Sequence, residues 1–232
     1  MEESNRHLFD CNQCLFRQLS TRVVPSDEFE LIRRTSVQLH FEKGETILRQ
    51  GAASHHLVFL HRGLVKFSYH YDSGKNYIMT IVTGPKLLGT ANLFFRQTNI
   101  FSLVAMEDCD VCLLDGKALR MVAQRHGAFV LDLCERTTEM FESAIFNFIS
   151  MAHKQVHGRI ADILLYLWNY IYKTRPDDFV ITRKELAEFA ACSHENVIHT
   201  LSRFNKEGIL SLEGRKIVIR DMERLQEISK RG

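Results

Sequence analysis

Short apolar runs separated by glycines fill the chain from about residue 37 to residue 115. The runs are TILRQG, HLVFLHRG, LVKFSYHYDSG, YIMTIVTG and FSLVAMEDCDVCLLD. Turn residues recur about every seven to twelve positions, which is typical of an antiparallel barrel or roll. The segment LVKFSYHYDSGKNYIMTIV predicts a hairpin with Asp72, Ser73 and Gly74 in its turn.

The hydrophobic period becomes helical after Lys117. Two adjacent apolar stripes, spaced alternately by three and four residues, predict a long helix that is apolar over a wide arc. The first stripe contains Leu131, Cys134, Thr138, Phe141, Ile145, Phe148 and Ala152, and the second contains Val130, Leu133, Thr137, Met140, Ala144, Asn147 and Met151. One stripe can pack on the β domain, and the same helix of a second copy can cover the other. We therefore expect a homodimer rather than one buried helix in a monomer.

Short elements follow the breaker at Arg175, Pro176, Asp177 and Asp178. RKELAEFAA predicts a helix, CS a turn, HENVIHTLSRFNKEG a second helix, and ILSLEGRKIVI a two-stranded hairpin. This order is the pattern of a winged helix-turn-helix. The pattern thus predicts an α+β fold with three parts: a β-roll domain with an N-terminal cysteine segment at 1–116, a dimerisation helix at 117–152, and a winged helix-turn-helix at 153–232.

Composition limits the class of protein. The 232 residues are enough for two domains, and 45% apolar with 25% charged residues is ordinary for a globular chain. No run reaches the roughly 18 apolar residues of a membrane span, and the polar start lacks the apolar core of a signal peptide. We expect a cytoplasmic protein with no membrane partner and six reduced cysteines. Residues 153–232 carry 14 Lys/Arg and 11 Asp/Glu, a net charge of +3 that suits an anionic partner.

The segments ITRKELAEFAACSHENVIHTLSRFNKEGIL and GRKIVI, preceded by HGRIADILLYL, resemble the Crp–Fnr superfamily of bacterial transcription regulators. The β segment and the long helix stand in the same order, so the resemblance covers nearly the whole chain. It implies a cyclic-nucleotide-binding-like β roll, a homodimer, a near-palindromic double-stranded DNA operator and RNA polymerase as a partner. The sensed signal would be redox, a gas or a small molecule.

Two other functions compete with DNA-binding regulation. An effector-binding module that regulates a protein partner without specific DNA binding is the alternative. An enzyme is not expected, because the chain has no Gly-x-x-x-x-Gly-Lys loop, no Gly-x-Ser-x-Gly and no His-Glu-x-x-His. HENVIH is one residue too long for the last motif, and His194 and His199 would lie about 140° apart on a helix.

The second helix of the motif is the predicted DNA-reading element. Ser193 suits the N-cap, and the first turn would enter the major groove, where Glu195 can accept from cytosine N4. His199 stands where the family usually has arginine, which makes the base preference an open question. The candidate DNA contacts are Arg183, Lys184, Ser193, His194, Glu195, Asn196, His199, Thr200, Ser202, Arg203, Lys206, Arg215 and Lys216.

The Fnr-type branch looks like the nearer relative, because of the N-terminal cysteines. Members of that branch hold an iron–sulfur cluster with three N-terminal cysteines and one from the β roll. By this resemblance Cys11 and Cys14 match the first two ligands, Ser20 falls at the third, and Cys112 matches the fourth. Strand alternation independently places Cys112 with Asp108 and Asp110 on the outer face, and Cys109 towards the core. The sequence leaves two interpretations of these cysteines. They form either a metal site at Cys11, Cys14 and Cys112 or a set of plain thiols without a metal.

The effector pocket of the cyclic-AMP receptor branch uses a Gly-Glu and an Arg-Ser pair. The matching positions here are Gly89-Thr90 and Phe101-Ser102. Without the arginine a buried cyclic phosphate has no charged partner, so cyclic AMP is not expected to bind. Haem is a remote further option, through strand histidines.

Overall fold

The computed structural model describes residues 9–89, 98–173, 179, 181–214 and 216–232, and within helix residues 139–141 only the backbone. The described chain forms two compact units. The first comprises the described residues of ranges 1–70 and 82–141, and the second comprises those of ranges 71–81 and 142–232.

Eight strands form two four-stranded sheets in the described part of the N-terminal half. They are β1 (Val37–Phe41), β2 (Thr46–Leu48), β3 (His56–Arg62), β4 (Leu64–His70), β5 (Asn76–Thr83), β6 (Lys86–Leu88), β7 (Ser102–Ala105) and β8 (Cys109–Asp115). The sheet orders are β1-β8-β3-β6 and β2-β7-β4-β5, and the strand pairs with a described register are antiparallel. The predicted α+β class with an N-terminal antiparallel roll is confirmed.

The turn between β3 and β4 depends on Gly63. Its φ is +111°, and an added Cβ would lie 2.5 Å from the Sγ of Cys109. Any other residue would meet both backbone strain and a steric clash. The Cys109 thiol itself is buried and donates to the backbone oxygens of Leu64 and Glu107. It is a core thiol, as the alternation predicted.

Two short N-terminal helices, which the hydrophobic pattern does not predict, cover the first sheet. They are α1 (Leu15–Ser20) and α2 (Ser26–Arg34). Phe16, Phe29 and Ile32 pack with Phe59 and Cys112 in one apolar cluster. The outer face of β8 is therefore covered, and Cys112 is only 8% exposed.

The predicted dimerisation helix is interrupted. A first helix, α3 (Gly116–Arg125), is capped by the Asp115 side chain, which accepts from the backbone N–H of Ala118. The chain breaks helical geometry at His126, and α4 (Gly127–His153) follows. The long helix thus begins at Gly127, ten residues later than the expected Lys117.

The C-terminal elements belong to the second unit. They are α5 (Val156–Leu167) with a π-helical turn (Trp168–Tyr172), α6 (Arg183–Ala190), α7 (His194–Lys206), β9 (Leu210–Glu213), β10 (Lys216–Ile219) and α8 (Met222–Arg231). Helices α6 and α7 with the β9–β10 hairpin form the predicted winged helix-turn-helix. Helix α8 was not predicted.

Candidate functional site

Helix α7 is positioned by a cap and an apolar face. The Ser193 hydroxyl accepts from the backbone N–H of Asn196 at 3.2 Å and so starts the helix where the sequence predicts. Val197, Leu201 and Phe204 recur at helical spacing and are buried. The opposite face of the helix is left for solvent or a partner.

The exposed face of α7 carries most of the candidate DNA contacts. The exposed candidates on and beside this helix are Ser193, His194, Glu195, Asn196, His199, Ser202, Arg203 and Lys206. Thr200 is a correction, because it is only 6% exposed and lies with the buried residues of the helix. It cannot contact a phosphate in this conformation.

The remaining basic candidates lie on α6 and the wing. Lys184 is exposed and stands 4.0 Å from Glu188. Arg183 is half-buried and donates through Nη2 to the backbone oxygen of Gly214 at 3.2 Å, which ties α6 to the wing turn. Burial lowers the pKa of Arg183. Lys216 begins β10, and Arg215 lies outside the described residues.

Glu195 is held at the N-terminal end of α7. Hydrogen bonds from its own backbone N–H and from the Ser193 hydroxyl lower the pKa of the carboxyl group, and neighbouring His194 adds to this. The side chain is therefore an ionised acceptor, available to a base amino group or to the helix end.

Three cysteines meet in one cavity of the first unit. Cys11, Cys14 and Cys112 line it, and its volume is about 40 Å³. Its polar lining also includes Arg17, Arg33, Ser36 and Gln38. Cys112 of β8 therefore lines the same cavity as the N-terminal pair, and the role of these three residues as metal ligands stays a prediction.

The side chain of Gln38 on β1 binds the N-terminal segment through hydrogen bonds. It lies opposite Cys112 in the β1–β8 register. Its side-chain amide accepts from the backbone N–H of Phe9 and donates to the Phe9 oxygen, both at 3.1 Å, and it approaches the Cys11 Sγ at 3.3 Å. The Phe9 ring stacks on His61 with centroids 4.0 Å apart. These contacts hold Cys11 at the cavity.

The buried thiols are protonated in this state. Burial raises the pKa of Cys14, and it raises the pKa of Cys112 to about 12. Because thiolates are the metal-binding form, a metal ion would have to displace these protons.

The described residues do not fit a four-cysteine cluster. Ser20 is buried but does not line the cavity, and no third N-terminal cysteine replaces it. Within the described ranges no group of three or more His, Cys, Asp or Glu side chains is arranged to hold a metal ion. Since one water needs about 10–15 Å³ of such space, a cavity of about 40 Å³ holds a few waters rather than an eight-atom cluster.

The described candidate effector positions lie directly after β6 and at the start of β7. Gly89 has a φ of +83°, and Thr90 lies outside the described residues. Phe101 is half-buried with its ring edge-on to Tyr69. Ser102 is buried, and its hydroxyl accepts from the backbone N–H of Gln50 at 3.0 Å. The position at which the receptor branch has its arginine is therefore taken by an aromatic ring.

The two stripes of α4 differ in burial. Leu133 and Thr137 of the second stripe are buried. The members of the first stripe with described side chains are exposed, namely Leu131, Cys134, Thr138, Ile145, Phe148 and Ala152. Phe146 and Ile149 add to this exposed apolar surface. The side chain of Phe141 lies outside the description.

Two protein-family models match this chain, one in its N-terminal half and one in its C-terminal part. The cyclic nucleotide-binding domain model matches residues 38–126, and the Crp-like helix-turn-helix domain model matches residues 158–228. The chain belongs to the Crp–Fnr family. It is a DNA-binding transcription regulator, and the family is one of regulators rather than enzymes.

Individual relatives span most of the chain. The anaerobic regulatory protein of Bacillus subtilis (strain 168) is 24% identical over 90% of this chain and 91% of its own length. The cAMP-activated global transcriptional regulator CRP of Pasteurella multocida (strain Pm70) is 26% identical over 75% of this chain and 85% of its own.

Solved structures share the Crp–Fnr fold. A transcriptional regulator of the crp/fnr family from Eubacterium rectale superposes with a TM-score of 0.75 at 17% identity, over 89% of this chain and 95% of that one. FixK2 from Bradyrhizobium japonicum superposes with a TM-score of 0.72 at 18% identity, over 84% of this chain and 97% of that one. In the part of the chain that the structure describes, no helix is long and apolar enough to cross a bilayer.

Proposed function

We propose that this Crp–Fnr protein is a cytoplasmic homodimer that senses a redox signal at the Cys11, Cys14 and Cys112 cavity and reads a near-palindromic operator through α7. The observation that carries the signal assignment is the convergence of three thiols from two distant parts of the sequence in one cavity. Arg17 and Arg33 line the same cavity and would stabilise thiolates. The signal would therefore act on the ionisation of these thiols and on the docking of residues 9–14.

The nearer branch would be the Fnr type. Support comes from the matching cysteines and from the relative named as an anaerobic regulatory protein. Family members are dimeric, and the exposed stripe of α4 offers the surface for a second copy. RNA polymerase is the further partner that we propose on family grounds. The half-site centres should lie about one helical turn, 34–36 Å, apart.

The experiment compares the wild type with Cys112→Ser and Cys109→Ser. Both residues lie on β8, but the Cys109 thiol faces the core and a serine there can keep its hydrogen bonds to backbone oxygens. Each protein is purified anaerobically and assayed for iron, labile sulfide and zinc, and its operator affinity is measured before and after exposure to oxygen. We expect oxygen to change the operator affinity of the wild type and of Cys109→Ser. The operator affinity of Cys112→Ser should not change.

Equal operator affinity in all states of the wild type would refute the signal assignment. Iron with labile sulfide would show that the cavity opens to admit a cluster with an additional ligand. A stoichiometric metal without sulfide would identify a thiolate metal site. A response without either metal or sulfide would identify thiol oxidation.

A further inference from the structure

One apolar side chain interrupts the polar face of the DNA-reading helix. Ile198 is 46% exposed, whereas Val197, Leu201 and Phe204 of the same helix are buried. A single exposed apolar residue is ordinary on a protein surface. Its place on this helix, rather than its exposure, is informative.

Ile198 lies in the middle of a continuous ridge. Glu195 precedes it by three residues, and Ser202 follows it by four, so the three side chains share one face of α7. His199 lies beside them, and all four side chains are exposed. Glu195, Ile198 and His199 lie in the N-terminal half of α7 (His194–Lys206), which is the part that a helix-turn-helix places against base edges.

The chemistry of the major groove limits what this side chain can contact. Isoleucine has no hydrogen-bond donor or acceptor. Among the groups on the base edges of the major groove, the C5 methyl of thymine is the apolar one. We propose that Ile198 is a specificity-determining residue that packs against a thymine methyl group in each half-site. This inference rests on DNA reading by α7.

The same contact would discriminate against other bases. A cytosine at that position would present its N4 amino group to the isoleucine side chain, and the amino group would lose water without gaining an acceptor. On this ridge the Glu195 carboxylate would accept a hydrogen bond from a base amino group. Ile198 would cover the methyl group of a thymine.

The test removes single methyl groups from the DNA. An operator is first selected from random duplexes, and each thymine is then replaced in turn by deoxyuridine, which lacks only the C5 methyl. For the wild type we expect one symmetric position at which affinity falls by about fourfold per half-site, as burial of one methylene-sized group implies. For Ile198→Ala that loss should be absent, and Ile198→Val should keep part of it.

Met121→Ala is the matched control. Met121 is 43% exposed on α3 in the first unit, so the variant also truncates an exposed apolar side chain. It should keep the full wild-type sensitivity to deoxyuridine. Unchanged salt-dependent binding to random duplex would verify that Ile198→Ala is folded.

Two results would overturn the inference while leaving DNA reading intact. One is an equal deoxyuridine effect in wild type and Ile198→Ala, and the other is an operator in which no thymine is methyl-sensitive. Failure to select any specific operator would refute sequence reading by α7 itself, and this inference with it.

Discussion

Cys11 and Cys112 line the same cavity but differ in exposure. Cys11 is half-buried, whereas Cys112 is buried and its pKa is raised to about 12. Because alkylation requires thiolate and access, iodoacetamide should modify Cys11 of the metal-free reduced protein long before it modifies Cys112. Peptide mass spectrometry over time at pH 7.5 measures the order. Similar rates for both would show that the N-terminal segment does not stay docked.

The raised pKa of Cys112 also makes the stability of the folded protein depend on pH. The ordinary pKa of a cysteine is 9.0, so above pH 9 the unfolded chain releases a proton that folded Cys112 still holds. The stabilising contribution of this buried thiol is complete below pH 9 and is lost as the pH rises towards 12.

Phe101 determines our prediction for cyclic AMP. A cyclic phosphate needs a charged partner when it is buried, and Phe101 offers a ring in contact with Tyr69. We expect titration calorimetry to show no binding in the micromolar range. The cAMP-activated regulator of Pasteurella multocida is a suitable positive control. Micromolar or tighter binding by this chain would show that another residue neutralises the phosphate.

The residue patterns predicted some side-chain positions and missed others. Period-two alternation in β8 separated Cys109 from Cys112. The burial of Thr200 could also have been found, because it follows Val197 by three residues on the apolar face of α7. Ser20 could not have been placed, since its distance from the cavity depends on how a six-residue helix packs.

At the scale of elements, the exposed stripe of α4 argues for the dimer. Ile145 is 55% exposed in the single chain, so Ile145→Glu should not disturb the fold of a protomer. In a dimer the same change would bury an unpaired charge at the seam. We expect a monomer by light scattering, with unchanged far-UV circular dichroism.

Gln124→Glu supplies the matched control for this variant. It adds a carboxylate at an exposed position of α3, outside the stripe, and should remain dimeric. A dimeric Ile145→Glu protein would show that the stripe is not the interface.

Asp162 of α5 joins helix α8 to the C-terminal end of α4. The carboxylate of Asp162 accepts from the Lys154 ammonium at 2.8–2.9 Å and from the hydroxyls of Ser150 and Ser229, both at 2.5 Å. Asp162→Ala leaves these donors without their acceptor and should lower the free energy of unfolding by about 1–3 kcal/mol. Urea denaturation measures the change. Glu227→Ala, an exposed carboxylate of α8, should be near neutral, and equal effects of the two variants would refute the role of Asp162.

The long helix and the strands bounded by glycines could be predicted from the sequence. Short helices that depend on packing against the rest of the fold could not. Glycine-bounded runs identified the strands, and the alternating stripes identified α4. The break at His126 was missed, although Arg125 in the last turn and Gly127 just beyond the helix are ordinary signals of a helix end. Helices α1 and α2 have six and nine residues, too few for a reliable periodic pattern, and are stabilised by packing on the sheet.

At the scale of the whole molecule, charge is distributed unevenly along the chain. The whole protein carries a net charge of only +2, yet residues 153–232 carry 14 basic and 11 acidic side chains, a net charge of +3. Such a modest excess cannot by itself supply a large non-specific affinity. The salt dependence of operator binding should therefore come from a few well-placed cations on and near α7.

Arg203 is the cation that we expect to contribute most to this salt dependence. It is exposed on α7, one turn beyond His199, and Glu207 approaches it only at 4.0 Å, so its guanidinium can turn to a phosphate. Arg203→Ala should weaken binding to specific and random duplexes alike. The slope of log affinity against log salt should fall by about 0.9 for each lost phosphate contact, or about 1.8 for a dimer. Arg34→Ala, which removes an exposed cation of the first unit, should leave the slope unchanged. An unaltered slope in Arg203→Ala, or a loss confined to one base pair, would exclude the phosphate contact.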